Sequence, residues 1–146
     1  MIRLRAHHLL CLLTYVGRGY SPAFVAQYSA IVARLNAGES AVLVEGPDDI
    51  CAPMLGATDL VAPHHCHEPR ITARDALALE AVAAALGQAF APGDAIPLDA
   101  PTVARLRKNF AAGTIRAACA ACQWDGLCSN IAAGGSARTR LTGSPL

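Results

Sequence analysis

Three cysteines near the C-terminus have the spacing of metal ligands. They are Cys119, Cys122 and Cys128, in the sequence Cys-Ala-Ala-Cys-Gln-Trp-Asp-Gly-Leu-Cys. Two cysteines separated by two residues can direct both thiolates at one centre from a single turn, and five further residues bring the third onto it. Zinc ribbons normally pair two such elements, whereas this chain has one, together with scattered cysteines. The spacing predicts a metal centre and favours an iron–sulfur cluster over zinc.

A cluster held by four cysteines needs one more thiolate. The Cys-x2-Cys-x5-Cys spacing resembles the last three cluster ligands of endonuclease III-type DNA glycosylases, where a fourth cysteine precedes them with six residues in between. The corresponding residue here is Ala112, so the fourth ligand must come from another part of the chain. Cys51 and Cys66 lie in a long segment without apolar periodicity, residues 51–70, and either can take this place.

Other residues near these cysteines can act on a metal centre. Trp124 lies between two of the predicted ligands, where its indole either excludes water from a cluster and tunes its potential or anchors the core. Arg116 can donate hydrogen bonds to cluster sulfurs or remain solvated. Cys66 stands in the sequence His-His-Cys-His-Glu, and this density of nitrogen, sulfur and oxygen donors also indicates metal binding.

The N-terminal sequence His7-His8-Leu-Leu-Cys11 forms another group. Successive residues of a helix point about 100° apart, so at most one histidine shares a face with Cys11. We expect Cys11, flanked by leucines, to be buried in the core. We expect both histidines to be hydrogen-bonded, with His8 as a candidate contact of the cofactor. Asp48 and Asp49 are expected to form a turn, and the alternative is an enzyme that uses them with a histidine.

Five predicted elements must position these residues. The second helix is the clearest, because Ser21 can cap it, Pro22 suits its first position and one apolar face continues to Gly38. The other helices are predicted over 6–16, from Thr72 with a capping box at Asp75 to residue 86, and from Asp99 or Thr102 to residue 112. One strand is predicted over 41–45. The fold class is therefore mainly α with some β: a small helical domain with one short strand region and a Cys-rich metal-binding loop.

Composition limits the class of protein. The chain has 146 residues, of which 53% are hydrophobic, 16% charged and only 5% aromatic. This predicts one domain over residues 1–146, with a flexible tail over 134–146. No apolar stretch is long enough for a membrane span. The N-terminus lacks a clear signal-peptide cleavage site, so we expect a cytoplasmic protein, in which cysteines favour metal binding over disulfides.

The charge is unevenly distributed along the chain. The net charge is +1, but six of the twelve basic residues and only one of the eleven acidic residues lie in 101–146. A basic segment can contact nucleic acid, or it can offset the negative charge of a thiolate-bound cluster. The alternative to an iron–sulfur protein is therefore a zinc-stapled module that binds nucleic acid or another partner.

Taken together, the cysteine and histidine sequences resemble a family of small bacterial and archaeal proteins that is known as a domain of unknown function and is thought to bind an iron–sulfur cluster. The resemblance rests on Arg5-x-His7-His8-Leu-Leu-Cys11, Gly17-x-Gly19-Tyr20-Ser21, Asp48-Asp49-Ile50-Cys51, His65-Cys66 and Cys119-x2-Cys122-x-Trp124-x3-Cys128. It implies cluster ligands among Cys51, Cys66, Cys119, Cys122 and Cys128. Many relatives have a further cysteine where this chain has Met54, so either that cysteine is dispensable or the relatives bind metal differently, and five candidates remain here for four places.

The sequence therefore predicts a protein that holds one four-iron, four-sulfur cluster. Its ligands would be Cys119, Cys122 and Cys128, with Cys51 or Cys66 as the fourth. The role would be electron transfer with a redox partner protein, or a structural or regulatory one. No nucleophile-elbow, Walker or dinucleotide-binding sequence is present, so no enzymatic reaction is assigned.

Overall fold

The computed structural model describes residues 1–17, 21–52, 69–112, 128, 131 and 139–144. Within these ranges the chain forms a three-stranded sheet and four helices. The order is β1 (Ile2–Leu4), α1 (Ala6–Leu12), α2 (Pro22–Asn36), β2 (Ala41–Leu43), α3 (Pro69–Leu86), β3 (Ala95–Ile96) and α4 (Ala100–Ala111). The predicted mainly α fold class is confirmed, and the Cys-rich loop predicted around Cys66 lies outside the described residues. The helices in the described ranges fall short of the length and apolarity of a membrane span.

The sheet joins the N-terminus to the middle of the chain. β2 lies at its centre, parallel to β1 and antiparallel to β3. Ile2 and Leu4 are fully buried and align with Ala41 and Leu43 of β2. The predicted strand over 41–45 is found as Ala41–Leu43, but the sequence did not indicate β1 and β3, because strands of three and two residues show almost no alternation of their own.

The first helix is shorter than predicted. We expected it to reach residue 16, but α1 ends at Leu12. The next residues include an aromatic and two β-branched side chains, which favour a helix less than leucine does. Tyr15 instead stacks on Tyr28 of α2, with ring centroids 3.8 Å apart, and its hydroxyl donates to the carbonyl of Val25 at 3.1 Å. Packing against α2 therefore competes with a further turn of α1.

Local capping explains the ends of the two helices that were predicted best. The Ser21 hydroxyl accepts a hydrogen bond from the Phe24 N–H at 3.1 Å at the start of α2, as predicted. Asp99 does the same for the Thr102 N–H at 2.9 Å at the start of α4. Of the two predicted starts of that helix, Asp99 is therefore the cap.

The predicted capping box of the third helix is wrong. α3 begins at Pro69, three residues before Thr72, so Asp75 lies within the helix. Its carboxylate binds Arg5 and His7 at the start of α1, because α3 packs directly against that helix.

Residues 139–144, called the C-terminal strap below, cross the domain beside α2 and α4. Leu141 is only 1% exposed, and the Asn36 side-chain oxygen accepts from the backbone of Thr142 at 2.9 Å and of Gly143 at 3.2 Å. Arg107 of α4 donates to the Leu141 carbonyl. We expected residues 134–146 to form a flexible tail, but these contacts pack the strap onto the core.

Candidate metal centre

The start of α1 is built around the buried carboxylate of Asp48. One oxygen, Oδ2, accepts from the Arg5 backbone N–H and from His8 Nδ1, both at 2.7 Å. The other, Oδ1, accepts from the backbone N–H groups of Ile50 at 3.0 Å and Cys51 at 3.1 Å. The first N–H groups of a helix have no partner within the helix. Asp48 supplies one for α1 and at the same time ties the turn 48–51 to it.

The charge of Asp48 fixes the orientation of His8. Burial alone would raise the pKa of Asp48, but the neighbouring His8 and the hydrogen bonds from Arg5 and Cys51 lower it to about 2. The carboxylate is therefore ionised at neutral pH, and Nδ1 of His8 is the donor in their contact. A histidine held in this way keeps Nε2 available as an acceptor or metal ligand.

A second carboxylate holds His7 in the same manner. Asp75 Oδ1 lies 2.6 Å from His7 Nδ1 and also accepts from the His7 backbone at 3.1 Å, while Oδ2 accepts from Arg5 Nε at 2.8 Å. Burial and the neighbouring His8 lower the pKa of His7 to about 4, although Asp75 opposes this shift. The two imidazole rings lie 4.4 Å apart, so two carboxylate-oriented histidines stand side by side. His7 and His8 are thus hydrogen-bonded, as expected.

Cys51 completes a group of three different donor atoms. Its side chain is buried, and its sulfur, a ring nitrogen of His8 and a carboxylate oxygen of Asp48 all lie within 4.8 Å of one another. In a Cys–His–Asp catalytic relay, the sulfur and the carboxylate occupy opposite nitrogens of the imidazole, about 7 Å apart. The compact triangle here is better suited to surrounding one point than to passing a proton along a line.

A buried cation lies against this group. The Arg5 side chain is 1% exposed and forms an ion pair with Asp75 through Nη2 at 2.8 Å. Burial lowers the pKa of Arg5, but hydrogen bonding and charge from Asp75, with smaller contributions from Cys51, outweigh it and raise the pKa. A positive charge beside a thiol favours the thiolate and disfavours a bare divalent cation. The donor set therefore fits an anionic metal–thiolate centre.

Two more thiols lie near the C-terminal end of α1: Cys11 is part of the helix, and Cys128 contacts Thr14 just after it. Cys128 is half-buried against the core, and its sulfur lies 3.1 Å from the Thr14 hydroxyl, which also donates to the Cys11 carbonyl at 3.3 Å. The prediction that Cys11 belongs to the core is wrong. Every other residue of α1 is buried, whereas Cys11 is only partly so, because the flanking leucines take the core-facing positions of the helix.

The structure thus brings three of the predicted site residues to α1. His8 and Cys51 lie at its start, and Cys128 lies beyond its end. The remaining predicted ligands and the tryptophan lie outside the described residues, namely Cys66, Cys119, Cys122 and Trp124.

From the sequence, Asp75 was predicted to cap the third helix and was not recognised as a partner of His7. Asp75 is separated from His7 by 68 positions, so no local pattern could have joined them. The helix contains a second carboxylate, Glu80, so the sequence alone does not single out Asp75.

The comparisons with known proteins identify the family. Residues 19–128 match the family described as "Protein of unknown function (DUF1284)". This range includes Asp48, Cys51, Cys119, Cys122 and Cys128, and it begins after α1. Searches of curated proteins and of solved structures gave no match. Since the match covers most of the sequence, the chain belongs to this family of proteins of unknown function.

Proposed function

We propose that this protein binds an iron–sulfur cluster of the four-iron type, with Cys51, Cys119, Cys122 and Cys128 as ligands. The observation that carries the proposal is the setting of Cys51: a buried thiol beside a histidine nitrogen and a carboxylate, with the guanidinium of Arg5 in contact. It supports Cys51 as the fourth ligand, while Cys66, the other candidate, lies outside the described residues.

The proposed thiolate-ligated cluster would have the Arg5 guanidinium beside Cys51, together with the carboxylates of Asp48 and Asp75. Four thiolates give such a cluster a net negative charge, which is costly to bury without nearby cations or hydrogen-bond donors. Arg5 supplies a cation at 1% exposure, and the basic segment 101–146 supplies more positive charge along the chain. His8, fixed by Asp48, adds an oriented imidazole that can contact the cofactor.

The ligands come from distant parts of the chain, and this gives the cluster two possible roles. Cys51 follows β2, while the other three proposed ligands lie beyond α4. A cluster would supply one-electron redox chemistry, and it would also fasten the C-terminal segment to α1. A reversible midpoint potential would favour electron transfer with a partner protein, whereas unfolding on iron chelation would favour a structural role.

Metal and sulfide analysis of anaerobically purified protein tests the proposal. We expect a brown protein with broad visible absorption and about four iron and four sulfide per chain. Cys51→Ser should lower this content, and Cys66→Ser is the matched control that should retain it. A colourless protein with one zinc would overturn the proposal in favour of the zinc-stapled alternative, for which a salt-sensitive shift on DNA is then the next measurement.

A further inference from the structure

The hydroxyl of Tyr28 is buried, and none of the described residues forms a hydrogen bond with it. The Tyr28 residue as a whole is only 4% exposed. Leaving a buried hydroxyl unpaired destabilises the folded state, so such a group in a folded protein calls for an explanation. The stacked neighbour shows the contrast, because the Tyr15 hydroxyl is 3.1 Å from the Val25 carbonyl and 2.8 Å from the Ser29 hydroxyl.

The surroundings of Tyr28 indicate which group could accept a hydrogen bond from its hydroxyl. Its ring lies 3.8 Å from that of Tyr15, and the preceding residue, Thr14, touches the sulfur of Cys128 at 3.1 Å. Burial raises the pKa of Tyr28 well above its ordinary value, and the negative charges of Cys11, Asp48 and Cys128 raise it further. The phenol hydroxyl is a hydrogen-bond donor, and the Tyr28 ring stacks on the residue next to Thr14, whose hydroxyl contacts the Cys128 sulfur.

We propose that Tyr28 is a positioning residue of the metal centre: its hydroxyl donates a hydrogen bond to a sulfur of the bound cluster, at the wall formed by Cys11, Thr14 and Cys128. This inference rests on the proposed function and deepens it. Cys128 is the proposed ligand on this wall, and its sulfur lies 3.1 Å from the Thr14 hydroxyl. A hydrogen bond to a ligand sulfur stabilises the added electron and so raises the cluster's potential.

Tyr28→Phe tests this role, with Tyr15→Phe as the matched control. In the metal-free protein, Tyr28→Phe should leave the midpoint of urea unfolding unchanged or raised, because it removes a hydroxyl that has no partner. Tyr15→Phe should lower that midpoint, because it removes two hydrogen bonds. In the cluster-loaded protein the order should reverse. Tyr28→Phe should lose iron to a chelator about tenfold faster than the wild type and show a lower midpoint potential, since a hydrogen bond to a charged group is lost.

The outcomes separate the two proposals. If the wild type binds a cluster and Tyr28→Phe matches it in both potential and rate of iron loss, the role of Tyr28 is overturned and the cluster stands. A metal-free Tyr28→Phe protein that is clearly destabilised would also overturn it, because the hydroxyl would then have a partner without the cluster. If the wild type binds no cluster, the proposed function fails, and this inference fails with it.

Discussion

Replacing Asp48 with asparagine would break the network at the start of α1 at a defined point. The amide oxygen can still accept from the backbone of Ile50 and Cys51, as Oδ1 does now. The amide nitrogen would replace Oδ2 and face two donors, the Arg5 backbone N–H and His8 Nδ1–H. His8 can respond by moving its proton to Nε2, but the buried N–H of Arg5 has no such choice.

The expected loss follows from these contacts. A buried hydrogen bond to a charged acceptor contributes about 1.5–3 kcal/mol, and a buried donor left unpaired costs a similar amount. With one such bond lost at Arg5 and one weakened at His8, we expect the metal-free Asp48→Asn protein to be less stable by about 3 kcal/mol. Asp49→Asn is the control, because among the described residues the Asp49 side chain accepts one hydrogen bond, from the exposed Arg3 backbone at 2.8 Å. It should cost about 1 kcal/mol or less.

Acid should reduce the difference in stability between the wild type and Asp48→Asn. The pKa of Asp48 is lowered from 3.8 to about 2, so its carboxylate stabilises the folded state above the unfolded pKa and loses this effect as pH falls through the folded pKa. The two pKa values correspond to about 2 kcal/mol. The wild-type advantage should therefore shrink by about 2 kcal/mol between about pH 4 and about pH 2.

Urea unfolding followed by circular dichroism, at neutral pH and at several acidic pH values, measures both effects. The reasoning would be refuted by equal, small losses in Asp48→Asn and Asp49→Asn. It would also be refuted if the gap between the wild type and Asp48→Asn stayed constant on acidification, because the carboxylate would then not be held ionised by its neighbours.

Two further substitutions test the supporting structure. Gly143→Ala should cost at least about 2 kcal/mol in urea unfolding, because Gly143 has φ +81° and an added Cβ would lie 2.6 Å from the Ala100 backbone. Gly46→Ala, at φ +74° with open space around it, should cost only about 1 kcal/mol, and equal costs would contradict the close approach. Asp99→Ala should cost about 1 kcal/mol by loss of the cap to Thr102, with Asp99→Ser largely retaining it; an alanine variant as stable as the wild type would contradict the capping role.

The parts of the fold that the sequence predicted are those set by neighbouring residues. Ser21 with Pro22, and Asp99 with Thr102, each define a helix start within four positions, and both starts are found. Asp75 shows the limit of such local patterns. Its spacing from Thr72 suits a cap, but the same carboxylate gains more from a buried arginine and histidine that approach only after folding.

The sequence identified residue types of the candidate site but not their arrangement. The types and spacing of the cysteines indicated thiolate ligation, and Cys51 and His8 do lie together. Cys11 was wrongly predicted to be buried because both its neighbours are leucines. Adjacent residues of a helix point about 100° apart, so they need not share the same burial. The hydroxyl of Tyr28 could not be identified at all, since an unpaired donor is a property of the packed structure.

The C-terminal strap would change the thermodynamics of assembling the proposed metal centre, although it holds none of the proposed ligands. The chain between α4 and the strap begins and ends on the same packed domain, since Leu141 is buried and Arg107 of α4 binds its carbonyl. Cys119, Cys122 and Cys128 lie within this closed loop. A tethered loop pays part of its closure entropy during folding and presents its ligands at a high effective concentration. Affinity for the metal would therefore depend on the strap's anchoring contacts as well as on the thiols that bind it.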